Sequence, residues 1–246
     1  MAPTSIDGTE ITGATIDGQD VSEITVDGET VFTAIPDSVI EDFEQNNLNS
    51  WNNTGGITIR SSTALEGSFN LEVTSPLNNV GGRPYSLEGD GLPFYPGKGA
   101  KFSFLARDGG TTTRPGIVFG VDENTNGIDG FEIRHVNKNE ANVNRLDDGQ
   151  AAGFDIRPSF TTGNAVYEYV TQWHDGSGSQ PDNTFELDVF EVDGSLNRIR
   201  HALQSFTWSD PDNKYQNNTG LGFTNGSSGI DSNNRLDFIR VRGTVD

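Results

Sequence analysis

Nowhere in this chain do apolar residues recur with a convincing 3.6-residue period over ten or more positions. The nearest approach, residues 196–203, carries little weight. Apolar and polar residues alternate instead over short runs, among them Ile57-Thr58-Ile59, Phe69-Asn70-Leu71-Glu72-Val73, Lys101-Phe102-Ser103-Phe104-Leu105 and Gly130-Phe131-Glu132-Ile133-Arg134. Gly116-Ile117-Val118-Phe119-Gly120-Val121, Tyr167-Glu168-Tyr169-Val170-Thr171, Thr184-Phe185-Glu186-Leu187-Asp188-Val189, Gly220-Leu221-Gly222-Phe223 and Leu236-Asp237-Phe238-Ile239-Arg240-Val241 extend the series. Side chains of a strand point alternately to its two faces, so such runs read as half-buried strands. Thirty glycines, ten prolines and many Asn, Asp and Ser residues punctuate them. Short strands between turn signals predict an all-β, antiparallel β-sandwich.

A different pattern precedes Pro36. Ile6-Asp7-Gly8-Thr9-Glu10-Ile11 recurs as Ile16-Asp17-Gly18-Gln19-Asp20-Val21 and as Val26-Asp27-Gly28-Glu29-Thr30-Val31. Asp-Gly supplies the positive φ angles of a tight two-residue turn, so each unit predicts a small hairpin. A hairpin alone is marginal in water, and three bury little apolar surface. The repeat therefore needs neighbours of its own kind or another protein to dock on; packing on the same chain's main domain is the competing reading. The expected division is a hairpin module for attachment or oligomerisation over residues 1–36 and a β-sandwich over 37–246.

The chain carries 36 acidic and 16 basic residues, a formal charge of −20, and only four of the basic residues are lysines. This surface repels phosphate backbones and anionic membranes, which argues against nucleic-acid partners. The acids are scattered rather than blocked, as expected for adaptation to molar salt, where self-repulsion is screened over about 3 Å. Without cysteine there are neither disulfides nor thiolate chemistry. No run approaches the roughly 18 apolar residues of a membrane helix. The first residues lack the basic start and apolar stretch of a secretory signal, so synthesis in the cytoplasm without ordinary secretion is expected.

The order of the segments carries a resemblance. Ile40-Glu41-Asp42-Phe43-Glu44 leads through Leu48-Asn49-Ser50-Trp51 to Ser68-Phe69-Asn70-Leu71-Glu72-Val73, and Val192-Asp193-Gly194-Ser195-Leu196 precedes the closing strands. Over about residues 38–246 the chain resembles the concanavalin A-like, laminin-G-like jelly rolls of surface and sugar-binding proteins. That fold hosts lectins, glycosidases and inert spacers, so the resemblance speaks to architecture more than to activity. The Ile-Asp-Gly repeat resembles segments at the start of tail and fibre proteins of tailed viruses. With the acidic, lysine-poor composition, the whole resembles a virion surface protein of a virus infecting halophilic archaea.

Several motifs are candidates for chemistry. Glu186-Leu187-Asp188-Val189-Phe190-Glu191 matches the E-x-D-x-x-E pattern of glucanase relatives of the fold; the resemblance implies Glu186 as nucleophile and Glu191 as general acid/base. Retaining hydrolysis needs the two carboxyls about 5–5.5 Å apart. In a regular strand they point to opposite faces, and only a bulge between them would unite them. The expectation is therefore a non-enzyme, with glycoside hydrolase the alternative. Asp122, Asn124, Asn126 and Asp129 bracket a glycine in a loop whose oxygen spacing suits calcium, but Ile133 stands where a bidentate Glu belongs. An ordinary Asx-rich turn is the preferred account of the loop. Asp210, Asp212 and Asn213 form a looser oxygen cluster. Sugar recognition calls for an aromatic face beside polar groups. Trp173-His174-Asp175 and Trp208-Ser209-Asp210 are the candidates, with at least one of Trp51, Trp173 and Trp208 expected in the core. His135, His174 and His201 lack zinc spacing. The Asn-x-Ser/Thr sites at Asn52, Asn217 and Asn225 are read as chance. These expectations add up to a virion adhesion protein binding host-surface carbohydrate through its outer domain and assembling as a homo-oligomer, a trimer by preference. A non-viral carbohydrate-binding module is a further alternative.

Overall fold

In the computed structural model the described residues are the strands to residue 41 specified below, then 43–47, 57–61, 64–65, 67–73, 80–84, 98–99, 101–107, 115–121, 129–136, 140–147, 150–160, 166–218, 220–225 and 235–242. Among them there is no helix, and so none long and apolar enough to cross a membrane. Six short strands come first: β1 (Ser5–Ile6), β2 (Thr9–Glu10), β3 (Thr15–Ile16), β4 (Gln19–Asp20), β5 (Glu23–Val26) and β6 (Glu29–Thr33). Each consecutive pair is antiparallel, and the two residues between the partners are Asp7-Gly8, Asp17-Gly18 and Asp27-Gly28. The turns themselves, and the boundary at 36–37, lie outside the described residues.

The remaining strands are β7 (Ser38–Glu41), β8 (Ile57–Arg60), β9 (Asn70–Val73), β10 (Val80–Pro84), β11 (Lys101–Arg107), β12 (Pro115–Val121) and β13 (Gly130–Val136). They continue with β14 (Glu140–Asp147), β15 (Gln150–Ile156), β16 (Val166–Trp173), β17 (Thr184–Val192), β18 (Arg198–Ser209), β19 (Gly220–Asn225) and β20 (Arg235–Arg242). One sheet runs β10-β19-β12-β13-β14-β15; the other runs β18-β17-β16-β11-β20-β9-β8, with β7 also on β20. The chain crosses between them repeatedly, β10 and β19 each leaving the larger sheet for a single strand. This antiparallel β-sandwich exchanges strands as a jelly roll does.

Alternation sorts the core as the sequence predicts. Phe102, Phe104, Tyr167, Tyr169, Trp173, Phe185, Leu187 and Val189 face inward from the larger sheet, and Ile117, Phe119, Phe131, Ile133 and Val143 meet them from the smaller. Rings interlock across the gap: Phe102 and Phe119 centroids are 5.0 Å apart, Phe131 and Phe185 4.5 Å, and Phe131 and Trp173 4.9 Å. Each such side chain contributes about 1.5–3 kcal/mol by leaving water.

The smaller sheet is buried on its second face too. Val118, Val121 and Leu146 cluster there, beside buried Glu132, Arg134, Asn142 and Asn144. The polar four are linked to one another. Asn144 Nδ2 donates to Glu132 Oε2 at 2.7 Å and to Asn142 Oδ1 at 2.6 Å. Arg134 lies 3.0 Å from Glu132 and donates to Asn142. Mutual pairing is what makes buried charge tolerable.

β18 ends the larger sheet. It spans twelve residues against the nine of β17, and its pairing slips three times. Ser205, in the slip between the Leu187↔Phe206 and Val189↔Leu203 pairs, takes a left-handed φ of 48°, and its amide donates to Asp188 Oδ1 at 2.9 Å. The weak helical period over 196–203 is thus a turn at 193–197 followed by an edge strand. Most of β18 is exposed, Ile199 at 52 %.

Candidate functional site

The Glu186/Glu191 pair is separated by the strand that carries it. β16 and β17 stay in register without a slip from Tyr167↔Glu191 to Trp173↔Phe185, so alternation along β17 is unbroken. Glu191 shares the side of Phe185, Leu187 and Val189, whereas Glu186 and Asp188 face away. The slips belong to the β17–β18 pairing, where β18 carries the extra residues. Five residues of extended chain add roughly 17 Å between the two glutamates, against about 5–5.5 Å for a retaining pair. Glu191 is held by Arg200 at 2.5 Å, and Glu186 Oε2 lies 3.4 Å from His174 Nε2. These two carboxyls do not form a catalytic pair.

The proposed sugar platforms are corrected as well. Trp173 is fully buried, stacks on Phe185 at 5.1 Å and donates from Nε1 to Asn183 Oδ1 at 2.9 Å. Trp208 is 6 % exposed and stacks on the same Phe185 at 5.0 Å. Both strands point these rings inward, so neither presents a face to a ligand. His174 is buried beside them. Asp175 is exposed, but its Oδ1 holds its own turn by accepting the Ser177 amide at 2.9 Å and hydroxyl at 2.6 Å. Burial alone would raise its carboxyl; the Ser177 bonds and then Lys98 hold it below the ordinary range. Trp51 lies outside the described residues.

Asp210 proves to be an anchor. Arg145, on β14, donates from Nη1 to Asp210 Oδ1 and to Asp212 Oδ2, each at 2.6 Å. Asp210 Oδ2 also accepts the Lys214 amide at 2.9 Å. Asn183, itself left-handed at φ 59°, donates to the Asp210 carbonyl at 2.7 Å and to Asn213 Oδ1 at 2.8 Å. Asp147 receives the Lys214 ammonium at 2.9 Å and the Tyr215 hydroxyl. A guanidinium therefore occupies the two carboxylates that suggested a cation. Burial would lower the Arg145 pKa, but hydrogen bonds to Asp212 and Asp210 outweigh it and raise it. Burial would likewise raise Asp147, yet Tyr215, Lys214 and Arg145 hold it down.

This network ties residues 210–218 to β14 and Asn183, and the segment lines an open cleft of about 410 Å³ formed by Asp129, Asn213, Tyr215, Gln216, Asn217 and Asn218. Two of these take left-handed backbones, Asn213 at φ 51° and Tyr215 at φ 59°. For a bulky residue that conformation costs on the order of 1–3 kcal/mol, and only a surrounding that over-determines it keeps it. The surroundings do so here. The Tyr215 ring meets Phe131 edge-on at 5.8 Å, Gln216 Oε1 accepts Lys98 Nζ at 2.9 Å, and Asn218 Nδ2 donates to the Gly120 carbonyl at 3.2 Å. Burial first, and the Asp147 bond second, push the Tyr215 hydroxyl well above its ordinary pKa. The result is a rim of amides, each with donors and acceptors, around one phenol ring and one carboxylate.

Of the expected calcium ligands, Asp129 lies on this cleft; Asp122, Asn124 and Asn126 lie outside the described residues. No group of three acids or histidines suited to a metal occurs among the described residues. Sequence reading singled out Asp129, Asn213 and Asn217 for other reasons and passed over Tyr215, Gln216 and Asn218. The available signal was four amides around a tyrosine within residues 213–218.

No protein-family model and no curated protein matches the chain. Solved structures with a similar shape include a protein of unknown function from Shewanella oneidensis MR-1, at 14 % identity and TM-score 0.48, covering 88 % of this chain and 90 % of that one. A congerin II variant matches at 13 % identity and TM-score 0.37 over 60 % of this chain and 93 % of its own. A tail fibre protein of an E. coli phage matches at 15 % identity and TM-score 0.36 over 61 % of this chain and 16 % of its own. Likeness at this level lends this chain no ligand and no activity.

Proposed function

We propose that the chain is a non-catalytic adhesion protein of a virion, whose sandwich binds a host-surface glycan in the cleft between Asp129 and residues 213–218. The cleft is the observation that carries the reading. Sugar hydroxyls both donate and accept, and a rim of Asn and Gln side chains answers both, while the Tyr215 ring supplies an apolar edge. Pre-organisation by the Arg145 network lowers the ordering cost of binding. The amino-terminal hairpins support the attachment half of the proposal: residues 1–36 dock on other virion proteins or on sister chains, with a trimer as the preferred assembly. The acidic, lysine-poor composition fits particles in concentrated salt, made in the host cytoplasm and displayed at the virion surface.

The test is a glycan array probed with the wild-type chain and with Gln216→Ala/Asn217→Ala. Each lost hydrogen bond is worth about 0.5–1.5 kcal/mol, so the double variant should bind roughly tenfold more weakly. Equal binding by both would remove the cleft from the reading. For the attachment half, particles that still incorporate a chain lacking residues 1–36 would count against it.

A further inference from the structure

We propose that the cleft recognises sugars carrying an acetamido group, an inference that rests on the glycan reading above. It follows from which way each rim amide is turned. A lysine ammonium can only donate, so Gln216 must present Oε1 to Lys98 Nζ, 2.9 Å away. A backbone carbonyl can only accept, so Asn218 must present Nδ2 to Gly120, 3.2 Å away. Asn183 is fixed twice over: its Oδ1 accepts the donor-only Trp173 indole at 2.9 Å, and its Nδ2 donates to the Asp210 carbonyl at 2.7 Å. The same Nδ2 donates at 2.8 Å to Asn213, which must therefore present Oδ1 to it. The Tyr215 hydroxyl donates to Asp147. Of the amide and phenol groups lining the cleft, these bonds leave the side-chain nitrogens of Asn213 and Gln216 as donors, Asn218 Oδ1 as an acceptor and the half-buried Tyr215 ring as an apolar edge. Asn217 is exposed and can turn either end to a ligand. An acetamido group matches this set. Its carbonyl accepts from an amide nitrogen, its N–H donates to Asn218 Oδ1, and its methyl covers the Tyr215 ring. A hydroxyl at the same carbon has no methyl for the ring and cannot make both bonds with the reach of an amide.

One further hydrogen bond and one buried methyl together favour the acetylated sugar roughly tenfold. The experiment is a glycan array that pairs glycosides of N-acetylglucosamine, N-acetylgalactosamine and N-acetylmannosamine with their parent hexosides. The best-bound pair is then measured by calorimetry on the full chain. The expected result is an acetylated partner bound roughly tenfold more tightly than its parent. That ratio should fall toward one in Gln216→Glu, which replaces the donor nitrogen with an oxygen of the same shape. It should also fall in Lys98→Met, which releases the Gln216 carbonyl to turn to the ligand. A parent hexoside bound as tightly, binding confined to glycans without an acetamido group, or a ratio unchanged in both variants overturns the acetamido assignment and leaves the glycan reading standing. Binding to no glycan of the array overturns both.

Discussion

Replacing Arg145 with methionine is the sharpest test of how the cleft is held. The Arg145 side chain is 5 % exposed, and it neutralises Asp210, whose side chain is fully buried, and Asp212, which is 53 % exposed. The two halves of this bridge have unequal weight. An ion pair with an exposed partner contributes about 0–1 kcal/mol, whereas removing one member of a buried pair costs about 3–5 kcal/mol because the other charge is left stranded. Arg145→Met should therefore lose about 3–5 kcal/mol, Asp212→Asn less than about 1 kcal/mol, and Arg145→Met/Asp210→Asn should recover part of the first loss by deleting the stranded charge. Urea unfolding followed by tryptophan fluorescence reads all three, since Trp173 and Trp208 lie in the core beside the network. At about 2–4 °C per kcal/mol for a domain of this size, the single variant should melt roughly 6–20 °C lower. An Arg145→Met chain within about 1 kcal/mol of wild type, or a double variant no better than the single, would refute the stranded-charge argument.

Other expectations follow from the same contacts. Asp147 has its carboxyl held low in the folded state, so its contribution is present above the ordinary carboxylate pKa and fades as pH falls through that range and below. Tyr215→Phe, which removes one of the bonds holding it down, should make the acid limb of a stability–pH curve shallower; an unchanged limb would count against that bond. Gly120→Ala should be destabilising by more than about 1 kcal/mol, because Gly120 has φ +66° and a Cβ there would sit 3.0 Å from the Trp173 ring; a chemical melt checks it. If the acidic surface is an adaptation to brine, melting temperature should climb steadily from dilute buffer to molar salt, and a flat profile would remove that reading.

The sandwich was legible in the sequence where one face of a strand is apolar and the other polar. Phe102-Ser103-Phe104 and Phe185-Glu186-Leu187 alternate cleanly and sit as expected. β14 was less visible, because Asn142 and Asn144 look like loop residues until Glu132 and Arg134 on the neighbouring strand bond to them. β18 hid for the opposite reason: an edge strand with slips carries no clean alternation. Beyond the amide-rich run at 213–218 the cleft could not be read, since Asp129 and that run meet through pairings of β13, β14 and Arg145 that no local pattern encodes. Trp173 and Trp208 misled because an aromatic beside a polar loop looks the same whether it points in or out.

The slipped edge at β18 bears on what this protein can become at high local concentration. Open edges of β-sheets are templates for further strands, and repeated chains stacked on them grow into fibres. Here the left-handed Ser205, tied to Asp188, throws the outer hydrogen-bonding groups out of step with any straight incoming strand, and Arg198 and Arg200 place charge along the same margin. Many copies can thus crowd on one surface without zipping together at β18. An array built from such chains would keep each sandwich separate and leave its contacts to other parts of the molecule.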